Sequence, residues 1–170
     1  MAPSCEYSLE TRYPDSVEET YLRRAIALAG ENVAAGGGPF GAVIVRAGTI
    51  LAEGVNRVTA LCDPTAHAEV TAIRAAGQAL RTHDLSGCTI YTSCEPCPMC
   101  LGAILWARLD RIVFAATQSD AAAAGFDDST FYAELLKPPA ARRTPMRQAL
   151  AVEGLAPLLA WRQFSAKVRY

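Results

Sequence analysis

An excess of charge of either sign is missing from this chain. Its 170 residues carry 16 lysines and arginines against 17 aspartates and glutamates, a formal net charge of −1. A protein built to hold phosphate backbones normally shows a basic face, so this balance argues against nucleic acid as a partner. The one small basic cluster, Arg142, Arg143 and Arg147, reads as solvated surface. No stretch is long and apolar enough to span a bilayer. The first sixteen residues hold Glu6, Glu10, Arg12 and Asp15 with no apolar core, so no secretory signal is expected. Histidine is scarce, with only His67 and His83. Six cysteines stand at 5, 62, 88, 94, 97 and 100. Three of them crowd into seven residues, which is awkward for a disulfide framework and natural for a metal site. A reducing, cytoplasmic setting is therefore expected.

What is present fits one compact domain over residues 1–170, with 51% hydrophobic and 19% charged residues. Residues 1–15 are polar and carry two prolines, so they read as a loose arm. Ser16-Val17-Glu18-Glu19 is a capping-box pattern, and helical spacing of apolar residues follows to about Ala35. Gly36-Gly37-Gly38-Pro39 stops that helix. Two short β-branched runs, 40–45 and 50–55, flank Ala47-Gly48 and predict a hairpin. A helix carrying His67 and Glu69 is expected after Asp63-Pro64-Thr65. A strand at 89–92, a helix at 97–107 and a strand at 111–115 follow. A helix around the Ala121-Ala122-Ala123-Ala124 run and a last one over 155–168 complete the order α-β-β-α-β-α-β-α-α. That alternation predicts an α/β fold with a mixed sheet between helices.

The chemistry lies in His67-Ala68-Glu69 and, thirty residues on, Pro96-Cys97-Pro98-Met99-Cys100. One imidazole and two thiols make three zinc ligands, His67, Cys97 and Cys100, and leave a tetrahedral ion one open position for water. Cys97 and Cys100, three apart, share a helix face. A helix N-terminus beside them favours the thiolates. His67 and Glu69 can serve one pocket only if their helix aims its N-terminal end at the metal, because side chains lean that way. The spacing thus predicts two helix N-termini converging on one zinc ion. Glu69 is expected to move protons and not to ligate. A structural zinc would need a fourth protein ligand. Cys94 is the nearby thiol, and it reads better as a buried or supporting group. His83 reads as a surface turn residue.

Taken together these residues resemble the signature of zinc-dependent base deaminases. The run Thr92-Ser93-Cys94-Glu95-Pro96-Cys97-Pro98-Met99-Cys100-Leu101-Gly102-Ala103-Ile104 resembles the core of the cytidine-deaminase-like superfamily. Gly38-Pro39-Phe40-Gly41-Ala42, Asn56-Arg57-Val58 and the run from Asp63 to Arg74 resemble the short bacterial guanine deaminases. So do Gly125-Phe126-Asp127-Asp128, Trp161-Arg162-Gln163-Phe164 and the final Tyr170. The likeness runs from about Glu18 to the end of the chain.

The resemblance implies a three-layer α/β/α sandwich around a mixed five-stranded sheet. It also implies one zinc ion per subunit and a homodimer in which residues from about 155 to 170 swap between chains. The substrate implied is a small purine base, with hydrolytic release of ammonia from guanine. By resemblance Asn56 hydrogen-bonds the purine, Phe40 stacks on it, and Ala68 and Trp106 line its pocket. Asp128 contacts the guanine edge and assists the leaving amine, and Tyr170 arrives from the other chain. Read alone, each residue has a plainer role: Asn56 as a turn former, Phe40 as core, Asp127 and Asp128 as loop acids, Trp106 as packing, Tyr170 as a frayed end. Two rival readings remain at this point, a tRNA adenosine deaminase and a structural zinc scaffold without catalysis. A related purine or aminotriazine substrate also remains open. Leu105 departs from the family pattern, where tyrosine is common.

Overall fold

The structure, a computed structural model, describes residues 15–169, with side chains described from residue 17. The predicted arm falls almost wholly outside them, and Tyr170 lies outside them too. The chain divides into two compact units, one ending at Thr117 and the other beginning at Gln118.

The first unit is built on strands β1 (Gly41–Arg46), β2 (Thr49–Val55), β3 (Cys88–Cys94) and β4 (Arg111–Ala116). They lie in the order β2-β1-β3-β4. β1 pairs antiparallel with β2 and β3, and β3 pairs parallel with β4, so the sheet is mixed. β1 is buried on both faces, which is why it reads as an unbroken apolar run and not as alternation. Its side chains nonetheless divide by parity. Val43 and Val45 join Tyr91 against Ala25 and Leu28 of α1 (Asp15–Ala34). Ala42 and Ile44 join Ile90 against Ala68, Ala72 and Ala76 of α3 (Ala68–Leu80) and Ile104 of α4 (Pro98–Trp106). Helices therefore cover both faces, giving three layers. Each fully buried isoleucine in this core contributes about 1.5–3 kcal/mol over its exposed state.

α3 sits unusually close to the sheet. Its alanines recur every fourth residue, and they meet Gly54 of β2, where a Cβ would lie 2.3 Å from the Ala68 carbonyl oxygen. The clamp between α1 and the sheet is ionic as well as apolar. Arg24 grips Glu53 of β2 through Nε and Nη2 at 2.7 and 2.8 Å. Arg111 of β4 pairs with Glu18 of α1.

A one-turn helix, α2 (Val58–Leu61), leads from β2 toward α3 and was not expected from the pattern. The second unit holds α5 (Gln118–Ala123), α6 (Ser129–Leu136), a 3-10 turn at Pro139–Ala141 and α7 (Ala151–Gln163). α6 was likewise not expected. Of the five strands implied by resemblance, the described residues form four. Past Ala116 the sequence offers an alanine run, which favours helix, and then Pro145 in a segment without ladder pairing.

Candidate metal centre and active site

Two helix starts build the site. His67 is the N-cap of α3 and Cys97 the N-cap of α4, both with extended backbone, at ψ 160° and 168°. The expected helix over His67 thus begins one residue later. Asp63 delays it, since its Oδ1 accepts from the Thr65 backbone N–H at 2.8 Å and from the Thr65 hydroxyl at 2.7 Å. That local turn competes with helix. Pro98 opens α4 at a position where its missing N–H costs nothing. Cys100 follows on the first turn, fully buried.

His67 Nδ1 lies 3.6 Å from Cys97 Sγ and 3.4 Å from Cys100 Sγ. The three donor atoms are within 4.8 Å of one another. Zinc bonds of about 2.3 Å to sulfur and about 2.0 Å to nitrogen, at tetrahedral angles, separate N and S by about 3.5 Å. The donor set therefore fits zinc in both chemistry and spacing. The Cys97 thiol is drawn down to about 4, first by the hydrogen bond from Cys100 and then, against burial, by His67. Cys100, the proton holder of the pair, is pushed up. One thiolate is thus already favoured, and two helix N-termini face the place where a cation would neutralise it.

Glu69, in the first turn of α3, is 7% exposed. Burial raises its carboxyl above the ordinary range, with the Cys100 thiol as a partner pulling the other way. Such a carboxyl beside a metal group is suited to taking up and giving back a proton.

Asn56 stands at the end of β2, buried at 9%. Its Oδ1 accepts from Val58 N–H at 3.3 Å, so it does form a turn. The amide keeps Nδ2 donors and a second Oδ1 lone pair for other partners. Phe40 is half-buried and packs against the α3-side core. Its carbonyl accepts from Asn56 N–H at 3.1 Å, and Arg57 N–H donates to the Ala66 carbonyl at 2.8 Å. Backbone bonds thus join the Phe40, Asn56 and His67 segments. Ala68 opens α3 and is 1% exposed. Cys94 is buried, with Sγ 3.6 Å from the Thr117 carbonyl oxygen. His83 is exposed.

Trp106 ends α4, about 13 Å along the helix from Cys97 at the usual rise, and is 68% exposed. With Gly102, Leu105 and Arg108 it lines an open groove. Asp128 belongs to the second unit, where it accepts from Gln118 Nε2 at 2.7 Å. Nothing in the sequence pattern singles out Asn32, whose amide reaches the Gly38 and Asn56 carbonyls at 2.8 and 2.9 Å. Its only signal is a polar residue in the last turn of a helix that meets a glycine run.

Residues 15–116 match the family described as the cytidine and deoxycytidylate deaminase zinc-binding region. Guanine deaminase of Bacillus subtilis strain 168 is 58% identical over 153 residues, covering 89% of this chain and 98% of that protein. The crystal structure of guanine deaminase from Bacillus subtilis superposes with a TM-score of 0.87 at 57% identity, over 89% of this chain and 98% of the other. A guanine deaminase structure from Nitrosomonas europaea gives 0.63 at 39% identity, over 65% and 64%. The tRNA-specific adenosine deaminase of Aquifex aeolicus is 40% identical over 99 residues, covering 58% of this chain and 66% of that protein. With its donor triad, its two converging helix starts and these matches, the chain belongs to the cytidine-deaminase-like family of zinc-binding deaminases.

Proposed function

We propose that this protein hydrolyses guanine to xanthine and ammonia. The observation that carries the reading is likeness over 89% of the chain to a guanine deaminase, and not over the metal core alone. The tRNA deaminase match covers 58% of the chain.

His67, Cys97 and Cys100 would hold the zinc ion, whose bound chemistry is Lewis-acid activation of water near neutral pH. Glu69 accepts the proton of the attacking water and delivers it to the ring nitrogen as C2 becomes tetrahedral. It then takes the proton of the new C2 hydroxyl and passes it to the amine, which leaves as ammonia while C2 becomes a carbonyl. Phe40 stacks on the purine and Asn56 hydrogen-bonds it, with Ala68 at the pocket wall. Asp128 takes the guanine edge and assists the amine. Buried polar partners of this kind reject a base with the wrong donor pattern, since unpaired groups are costly.

The working unit in this reading is a homodimer that exchanges residues from about 155 to 170, so that Tyr170 and the partner's tail close each pocket. Two apolar surfaces support it. α4 exposes Leu105 at 69% and Trp106 at 68%, and α7 exposes Val152, Leu155 and Leu158. Large apolar side chains exposed together on one helix suit an interaction surface. The cytoplasm suits the reaction, because reducing conditions keep Cys97 and Cys100 free to bind metal. Among the described residues no helix is long and apolar enough to cross a membrane.

The test is ammonia release from guanine, guanosine, adenine, cytosine and a tRNA anticodon hairpin. Guanine is expected to be turned over far above the others. Preference for the hairpin, with salt-sensitive binding, would replace this reading with tRNA editing.

A further inference from the structure

We propose that Asn32, on the helix layer opposite the metal, is a positioning residue for the purine pocket. The inference rests on the guanine reading and names a residue that reading does not use.

Asn32 lies in the last turn of α1, and a single Nδ2 group donates to two main-chain carbonyls from different loops. One is Gly38 O at 2.8 Å, the other Asn56 O at 2.9 Å. Gly38 O also accepts from Phe40 N–H at 2.9 Å, and Phe40 O from Asn56 N–H at 3.1 Å. Asn32 is therefore the apex of a closed ring that fixes the spacing between the stacking residue and the hydrogen-bonding residue. Its own carbonyl accepts from Gly37 N–H at 2.8 Å, so the glycine turn wraps it by main chain too. From Asn56 the chain of bonds runs on through Arg57 N–H to Ala66 O, the residue before His67.

The glycines around it are shaped to this amide. A Cβ on Gly37 would lie 2.4 Å from Asn32 Nδ2 and 2.6 Å from Oδ1, and all three nearest atoms belong to that side chain. A Cβ on Gly38 would meet the Asn56 side chain at 3.0 Å. Two carbonyl acceptors need a short side chain with two N–H donors. Aspartate has the shape without the donors, and would face both oxygens with like charge. Misplacing Phe40 and Asn56 relative to each other weakens purine binding. It leaves the metal ligands and Glu69, which sit on α3 and α4, in place.

The experiment compares Asn32→Asp, Asn32→Ala, Gly37→Ala and the Asn32→Ala/Gly37→Ala double variant with the unaltered chain, as full-length zinc-loaded protein. Zinc content, guanine kinetics and amide hydrogen exchange are read. Asn32→Asp and Gly37→Ala are each expected to raise KM for guanine about tenfold or more, with kcat within about threefold and zinc at one per chain. Amide exchange at Phe40 and Asn56 should quicken while that of β3 does not. In the Asn32→Ala background the Gly37 methyl has room, so the double variant should match Asn32→Ala alone. Unchanged KM and unchanged exchange would overturn the proposal. So would equal losses in kcat and zinc, or additive effects in the double variant. A wild-type chain inert toward guanine would instead sink the substrate reading, and the exchange data would still decide the role of Asn32.

Discussion

A Cβ placed on Gly54 would sit 2.3 Å from the Ala68 carbonyl oxygen and 2.5 Å from Ala72 N, so the first turn of α3 lies directly on β2. That contact sets the height of the helix start carrying His67 and Glu69. Gly54→Ala must push backbone away from backbone. Thermal unfolding followed by circular dichroism should show a loss of about 1–3 kcal/mol or more, roughly 2–4 °C per kcal/mol for a chain this long. Zinc affinity should fall with it.

Glu69→Gln keeps size and burial but removes the proton carrier. Turnover is expected to drop by about 10²–10⁴-fold or more with zinc still bound, as measured by ammonia release beside metal analysis. A scaffold without catalysis would be indifferent to the change.

Cys94 and Cys97 should behave oppositely. Cys97→Ala removes a donor atom 3.6 Å from His67 Nδ1 and is expected to abolish stoichiometric zinc. Cys94, whose thiol meets the Thr117 carbonyl oxygen, is expected to tolerate alanine with one zinc per chain retained. Zinc lost from the Cys94 variant would indicate a closed four-ligand site.

Much of this site is local in sequence, which is why it was legible there. Cys97 and Cys100 are brought together by their three-residue spacing at a helix start, and His67 and Glu69 by theirs at the start of α3. The strands were equally readable, since β-branched runs at 43–45 and 89–90 have no helical period. What escaped depends on tertiary detail. α2 is a single turn without periodicity. Asn32 acts through main-chain carbonyls 6 and 24 residues away, which no side-chain pattern encodes. The fifth strand came from resemblance and not from the residues, and the alanines after Ala116 were already a poor strand.

The Arg24–Glu53 pair gives a pH signature. Arg24's hydrogen bonds hold the Glu53 carboxyl below its ordinary range. A depressed carboxyl stabilises the fold above its unfolded value and loses that contribution as pH falls through its folded value. Glu53→Gln should therefore lower the free energy of unfolding at pH 7 by a modest amount, about 1 kcal/mol at most for a pair one-third exposed. The gap to the unaltered protein should close as pH falls below the ordinary carboxylate range.

Exchange of the tail predicts complementation. A chain lacking residues 164–170 and a Glu69→Gln chain should each be nearly inactive. Co-expressed, they should recover activity, because one pocket of the mixed dimer has both Glu69 and an intact partner tail. Full activity of the truncated chain alone would remove the tail from the mechanism.

The most direct test is removal of the metal. Protein stripped by a chelator and assayed on guanine should retain under about 1% of its xanthine formation, and one equivalent of zinc per chain should restore it. Undiminished turnover by the stripped protein would contradict the whole account.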